Sequence, residues 1–317
     1  MKCRVLVKHV PLYICIALFA AVLATSPERY VPACLEGIAL WAQCVLPALF
    51  PFMVITLLFI STGGAELAAR PFKRVCNFFG LPPAAAVIFI MSAFSGYPAG
   101  SRIVYEYCQR GEISEADAQK LAPLCSTSGP LFLIASVGQN MFKSKAAGAL
   151  LLAAHLVSVA AVALAICLIE RGKSTAAARP LRAERGNVLY DSFYSAVISV
   201  IVAGGFICFF YTLARAANDF YILFPLEAAL TPLLGQCAPA FCRGLIEATG
   251  GCAALAAAGG GIALPLAGFL ITFGGLSIIA QQLCYLTKCG VKPLKFMLAK
   301  AAQGALCFAL LLPLIAA

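Results

Sequence analysis

An all-α polytopic membrane protein is the fold class this sequence predicts, on three observations. Hydrophobic residues make up 62% of the chain and charged residues 11%, against about 25% charged in an ordinary soluble domain. Apolar stretches of about 20 residues, the length that spans a hydrocarbon core, recur from one end to the other. The basic residues behind the formal net charge of +10 sit in short clusters between those stretches. They form no aromatic-interleaved basic face, so membrane topology accounts for the charge and a nucleic-acid partner is not expected.

The elements follow in order. Lys2, Arg4 and Lys8 precede an apolar run to about residue 26. A basic start before an apolar run is also the form of a signal peptide. Tyr13 to Ala24 continues from Val10 without a polar cleavage region, so a retained first helix is the expectation. Spanning segments are expected at about 8–26, 35–61, 120–139, 146–169, 190–213, 262–287 and 293–316. Two further apolar stretches, 83–108 and 238–261, are interrupted by Ser95-Gly96-Tyr97-Pro98-Ala99-Gly100 and by Glu247-Ala248-Thr249-Gly250-Gly251. Such a break frees backbone groups that lipid cannot satisfy, so both stretches read as re-entrant hairpins. The segment Glu112 to Lys120 reads as a solvated helix start, with Ser114 as N-cap and Asp117 at the third position of a capping box. Phe220 to Gln236, broken by Pro225 and Pro232, reads as interfacial.

Lys and Arg accumulate in cytoplasmic loops. With the N-terminus inside and both hairpins returning to their side of entry, sixteen basic residues fall on one face, among them Lys173 and Arg182. Four fall on the other: Arg29, Lys143, Lys145 and Arg215. The N-terminus is expected in the cytoplasm and the C-terminus, Ala317, on the opposite side. The polar segment Glu170 to Asn187 reads as a cytoplasmic connector.

A weak internal repeat agrees with that layout. An offset of 154 sets Phe50-Pro51-Phe52 against Gly204-Gly205-Phe206 and Ser95-Gly96 against Thr249-Gly250. An offset of 145 sets Gly129-Pro130-Leu131-Phe132 against Gly274-Gly275-Leu276-Ser277. Each half then reads helix, hairpin, interrupted helix, helix. Three crossings separate the starts of the halves, which gives them opposite orientation, the plan of many secondary transporters.

Four places interrupt the helical pattern at membrane depth: the two hairpin tips, Ser126-Thr127-Ser128-Gly129-Pro130, and Phe273-Gly274-Gly275. Broken helices present partial positive charge at their N-termini and free carbonyls at their C-termini, and can bind a charged solute between them. Close helix packing is the competing role for such small residues. Glu247 stands in an apolar stretch where a carboxylate is a functional candidate, with Arg243 one turn earlier as a structural ion-pair partner in the alternative reading. By the repeat its counterpart is near Ala93. Arg102, two residues past the first tip motif, carries a guanidinium fork suited to carboxylates or snorkels to the surface. His155 lies inside an apolar helix as a proton relay or as a buried, hydrogen-bonded side chain. The cysteines, scattered through apolar segments with no C-x-x-C pair and only two histidines, suggest packing rather than a disulfide framework or metal site. No esterase elbow, zincin motif, Walker loop or paired catalytic aspartates is present. No enzyme activity and no cofactor are expected.

Taken together, Ser95 to Gly100, Gly111-Glu112-Ile113-Ser114, Ser126 to Phe132 with Val137-Gly138, His155, Glu247 to Gly250, and Phe273 to Ser277 with Gln281 resemble the sporulation integral membrane protein family YlbJ, also called SpoVV. That family contains the nucleoside-recognition, or Gate, domain, and the likeness covers about residues 35 to 316. It implies a first helix over 1–34, a Gate-type repeat over 35–170, a linker over 171–187 and a second repeat over 188–317. It also implies kinship with concentrative nucleoside transporters and export of dipicolinic acid from the mother cell toward the forespore, with the protein in the outer forespore membrane. The expected site comprises Ser95, Gly96, Tyr97, Pro98, Ser126, Thr127, Ser128, Gly129, Glu247, Thr249, Gly250, Gly274, Gly275, Ser277 and Gln281, with Arg102 and Arg243 as charge partners. Nucleoside transporters carry a Gln-Thr-Glu tip on the first hairpin, whereas here the acidic tip is Glu247-Ala248-Thr249 on the second. That departure favours an organic anion over a nucleoside. A proton or sodium ion as coupling ion, a nucleoside carrier, and a non-transporting spore-envelope assembly protein are the remaining expectations.

Overall fold

The computed structural model describes residues 2–82, 84–97, 99–170 and 187–315. Pro98, the connector positions 171–186 with Lys173 and Arg182, and Ala317 lie outside the described residues. Those described form helices and turns without a strand. Five helical segments are long and apolar enough to cross a membrane: Pro27–Ser61, Lys145–Ile169, Val188–Asp219, Ala263–Cys289 and Pro293–Leu311. The protein is a polytopic α-helical membrane protein. Of the seven expected crossings, 8–26 is represented by α1 (Lys2–Thr25), while 120–139 is no continuous helix.

Helix α2 (Pro27–Leu40) starts after Ser26 with proline at its first position, where a missing N–H costs nothing. It passes through a π-type turn, Trp41–Val45, into α3 (Leu46–Ser61). The span therefore begins earlier than residue 35. It runs antiparallel to α10 (Val188–Asp219), as the pairs along it require. Arg29 lies 3.9 Å from Asp219, the Trp41 indole donates to the Val200 carbonyl at 3.1 Å, and Phe50 meets Phe193 edge-on. Between these two long helices α4 (Gly64–Ala69) and α5 (Lys73–Phe78) lead into a helical pair, α6 (Ala85–Ser95) and α7 (Ala99–Gln109). Each limb has eleven residues and rises about 16 Å at 1.5 Å per residue, half the thickness of a hydrocarbon core. The expected capping box at Ser114 and Asp117 opens α8 (Glu115–Leu124). The chain then unwinds and resumes as a π-type segment, Phe132–Met141, before α9 (Lys145–Ile169).

The second half repeats the order. After α10 comes α11 (Phe224–Leu234), which buries no residue, as an interfacial segment should. A second short pair follows, α12 (Ala238–Ile246) and α13 (Ala248–Ala258). Then α14 (Ala263–Phe273) gives way at Gly274 to α15 (Gly275–Leu286), and α16 (Pro293–Leu311) closes the bundle. Helices α9 and α16 are also antiparallel: Lys295 pairs with Glu170 at 2.8 Å near one end and Gln303 donates to the Val159 carbonyl at 3.3 Å further along. The span containing α14 and α15 is 67% buried against 28–39% for the other four, which makes it the central element. The expected offset of 154 for the hairpins needs correction. The limb ends that flank the tips, Ser95 with Ile246 and Ala99 with Ala248, align at offsets of 151 and 149, so Glu247 falls at the tip after Ser95 and not at Ala93.

Glycine sets the closest approaches. A Cβ on Gly251 would lie 2.2 Å from the Gly244 Cα, and one on Gly100 would lie 2.0 Å from the Cys125 carbonyl oxygen, whereas Gly205 faces open space. Gly251→Ala and Gly100→Ala should each cost about 1–3 kcal/mol through overpacking, while Gly205→Ala should gain up to about 1 kcal/mol. Melting of the purified variants in detergent checks this, and equal melting temperatures for all three would contradict the packing.

Candidate solute-binding site

The interruptions arise from residues that cannot continue a helix. Pro130 lacks an N–H and restricts Gly129 before it. The hydroxyls of Ser126, Thr127 and Ser128 compete for backbone bonds. In the second half Gly274 and Gly275 both adopt left-handed conformations, φ +96° and +59°, and end α14 in a way that a Cβ would strain. At the first tip Gly96 has φ +72° and lies so close to the unwound segment that an added Cβ would stand 2.8 Å from the Gly129 nitrogen. At Gly275 an added Cβ would meet the Gly244 carbonyl at 3.0 Å and the Ala248 nitrogen at 3.2 Å. Each tip thus rests against the helix break of its own half.

Side chains from elsewhere complete the hydrogen bonding of these breaks. His155 on α9 accepts the Ser128 N–H at Nε2, 2.9 Å, so the ring proton sits on Nδ1 and is donated to Thr272 Oγ1 at 2.9 Å. Both ring nitrogens are occupied, which places His155 as the buried, hydrogen-bonded side chain of the two expectations. Tyr97 donates its hydroxyl to the Ile271 carbonyl at 3.1 Å. Lys300 on α16 donates to the Ser126 carbonyl at 2.9 Å and lies 3.4 Å from the Tyr97 hydroxyl. Gln303, one turn on, donates to the Pro123 carbonyl at 2.9 Å. Glu247 accepts the N–H groups of Thr249 at 3.0 Å and Gly250 at 2.6 Å, and so caps α13.

A partly open pocket lies between these parts. Its lining includes Tyr97, Ser128, Ala248, Thr249, Ile278 and Gln281 from the tips and broken helices, and Val45, Leu49, Ala203 and Ile207 from the long helices. Around the breaks Ser95, Thr127 and Ser277 are buried with hydroxyl oxygens that bond nothing. The structure thus brings the four interruptions together. It does not bring in the two arginines. Arg102 pairs with Glu106 at 2.9 Å, both side chains about one-third exposed. The Arg243 to Glu247 pair is also absent: Arg243 donates to the Pro239 carbonyl at 3.3 Å. The helix ends at Ile246, and Glu247 is extended (φ −131°, ψ 105°), so it is not on Arg243's helical face. The residue that sequence reasoning passed over is Lys300, 0% exposed. Its signal was present as a lysine within an apolar spanning segment, and it stands 145 residues after His155, the offset from Gly129 to Gly274.

No family model and no solved structure matches the chain. A protein that does is the sporulation integral membrane protein YlbJ of Bacillus subtilis, 26% identical over 321 residues, an alignment covering 90% of this chain and 77% of that one. The likeness to that sporulation membrane protein runs over nine-tenths of the chain. Glu247 acts on its own helix, so Glu247→Ala should cost about 0.5–2 kcal/mol as a lost cap. Adding Arg243→Met should not restore stability. A coupling energy above about 1 kcal/mol in the double-mutant cycle would reinstate the ion pair.

Proposed function

We propose that the chain is a membrane transporter of a small anionic solute, which binds in the pocket between the two tips and the two broken helices. The observation that carries this reading is the convergence of all four interruptions on one pocket with unpartnered buried hydroxyls beside it. Unwound backbone at membrane depth is tolerated where it lines a cavity, and transporters place solute sites there. The two halves form an inverted repeat: the order of elements recurs, and the first and last long helices of the halves run antiparallel. The short pairs are re-entrant hairpins, since each limb is too short to cross. Gate-type organisation and dipicolinate as solute, exported from the mother cell toward the forespore across the outer forespore membrane, follow from the family resemblance. The chain carries no catalytic role in this reading.

The glutamate cap also bears on ligand class. Glu247 satisfies the N-terminus of α13 internally, which removes one site for an anion. Hydroxyls, tip backbone and the lysine behind Tyr97 remain. Purified protein in liposomes should take up labelled pyridine-2,6-dicarboxylate in competition with unlabelled ligand and not with nucleosides. Thr127→Val and Ser277→Ala, which remove unpaired buried hydroxyls, should leave stability unchanged or slightly higher and lower transport several-fold. Inactivity of the wild-type protein toward dicarboxylates would remove the solute class, and competition by nucleosides would favour the nucleoside carrier. Unchanged uptake in both variants would assign the breaks to packing.

The charge asymmetry puts Lys143 on the non-cytoplasmic side. A single cysteine at position 143 in a cysteine-free background should react with impermeant reagent added from outside. Labelling from the cytoplasm alone would reverse the topology.

A further inference from the structure

Lys300 is buried completely, yet no carboxylate among the described residues pairs with it. Its neighbours are the Ser126 carbonyl, the Tyr97 hydroxyl and the Tyr97 ring, whose centroid lies 5.3 Å from Nζ. The other buried acid at the breaks, Glu247, spends both carboxylate oxygens on α13. His155 is held neutral by accepting the Ser128 N–H. An ammonium in such a place is costly without a counter-ion.

Satisfying backbone carbonyls does not require that charge. Gln303, one turn further on the same face of α16, does the equivalent task for Pro123 with a neutral amide. The contact to the Tyr97 hydroxyl, at 3.4 Å, is at the outer limit of a hydrogen bond, whereas a carboxylate oxygen would be held at about 2.8 Å in a charge-assisted one. Tyr97 itself lines the pocket, so Lys300 stands one side chain behind its wall.

We propose that Lys300 is the counter-charge of the solute: a carboxylate of the bound molecule displaces the Tyr97 hydroxyl from Nζ and forms with Lys300 the ion pair that no carboxylate among the described residues provides. The Tyr97 hydroxyl keeps its bond to the Ile271 carbonyl, so the tip stays tied to the broken helix while the lysine changes partner. This assignment deepens the transporter reading and rests on it. It makes the pocket selective for an anionic end group and leaves a neutral ring of the same shape unrecognised by the lysine.

The test compares pyridine-2,6-dicarboxylate with pyridine-2,6-dimethanol by calorimetry on the purified full-length protein in nanodiscs. Lys300→Gln keeps a donor for the Ser126 carbonyl and removes the charge. It should fold with an unchanged or higher melting temperature and bind the dicarboxylate on the order of ten- to a hundredfold more weakly, with no change toward the diol. Dicarboxylate affinity equal to wild type in a folded Lys300→Gln protein would overturn the proposal while leaving the transporter reading in place. Failure of the wild-type protein to bind the dicarboxylate would overturn both. The Nζ resonance of the buried lysine in selectively ¹⁵N-labelled wild-type protein answers the question without a substitution. A shift on adding the dicarboxylate and not the diol is expected, and no shift would refute the role.

Discussion

Backbone N–H and C=O groups released inside an apolar bundle must be bonded by the protein itself, and the centre of this molecule is organised by that demand. Each unsatisfied group in hydrocarbon costs several kcal/mol. The chain nevertheless interrupts its helices at Gly96, Ser126 to Pro130, Glu247 and Gly274. His155, Lys300, Gln303, Tyr97 and Glu247 supply the missing partners. Most of these bonds cross between elements distant in sequence, so the interruptions and the tertiary packing depend on one another.

This dependence divides the structure into an outer and an inner part. The long helices α2, α3 and α10 present side chains such as Ile55, Ile198 and Ile201 to the outside and meet through an indole bond, ring contacts and glycines. The inner part, the half-length pairs and the broken helices, is held by polar contacts under dense small-residue packing at Gly100, Gly244 and Gly251. The pocket lies where the two parts face one another, with aliphatic walls from α3 and α10 and polar groups from the breaks. Such a division suits a solute with one apolar face and a few polar atoms.

His155 and Lys300 serve the same unwound segment in two physical roles. They stand 145 residues apart on the closing helices α9 and α16, and both serve the unwound segment Ser126 to Ser128. The imidazole accepts an N–H and donates to Thr272, binding the two broken helices together. The ammonium can only donate, so it serves a carbonyl and keeps capacity for a further acceptor. The imidazole, with both nitrogens occupied, is a structural clasp, and the spare donor capacity of the lysine is what the proposed solute contact would use.

The sequence by itself determined the membrane class, the long apolar spans, the helix breakers and the capping box at Ser114, because these rest on local composition and on the backbone restrictions of Gly, Pro and short polar side chains. It also named the polar pocket residues Tyr97, Ser128, Thr249 and Gln281, which belong to the interrupting motifs, but not the apolar lining from the long helices, Val45, Leu49, Ala203 and Ile207. Partnership was decided only in three dimensions. Spacing of four residues between Arg243 and Glu247 suggested an ion pair, but the helix ends between them and the carboxylate turns onto the next helix's N–H groups. Arg102 looked free for an anion and is paired with Glu106, while Lys300, a lysine in an apolar span whose partners the sequence does not indicate, was carried to the centre by the packing of α16 on α9 and α14. Local chain stiffness is written in neighbouring residues; which charge meets which backbone group depends on contacts between segments more than a hundred residues apart.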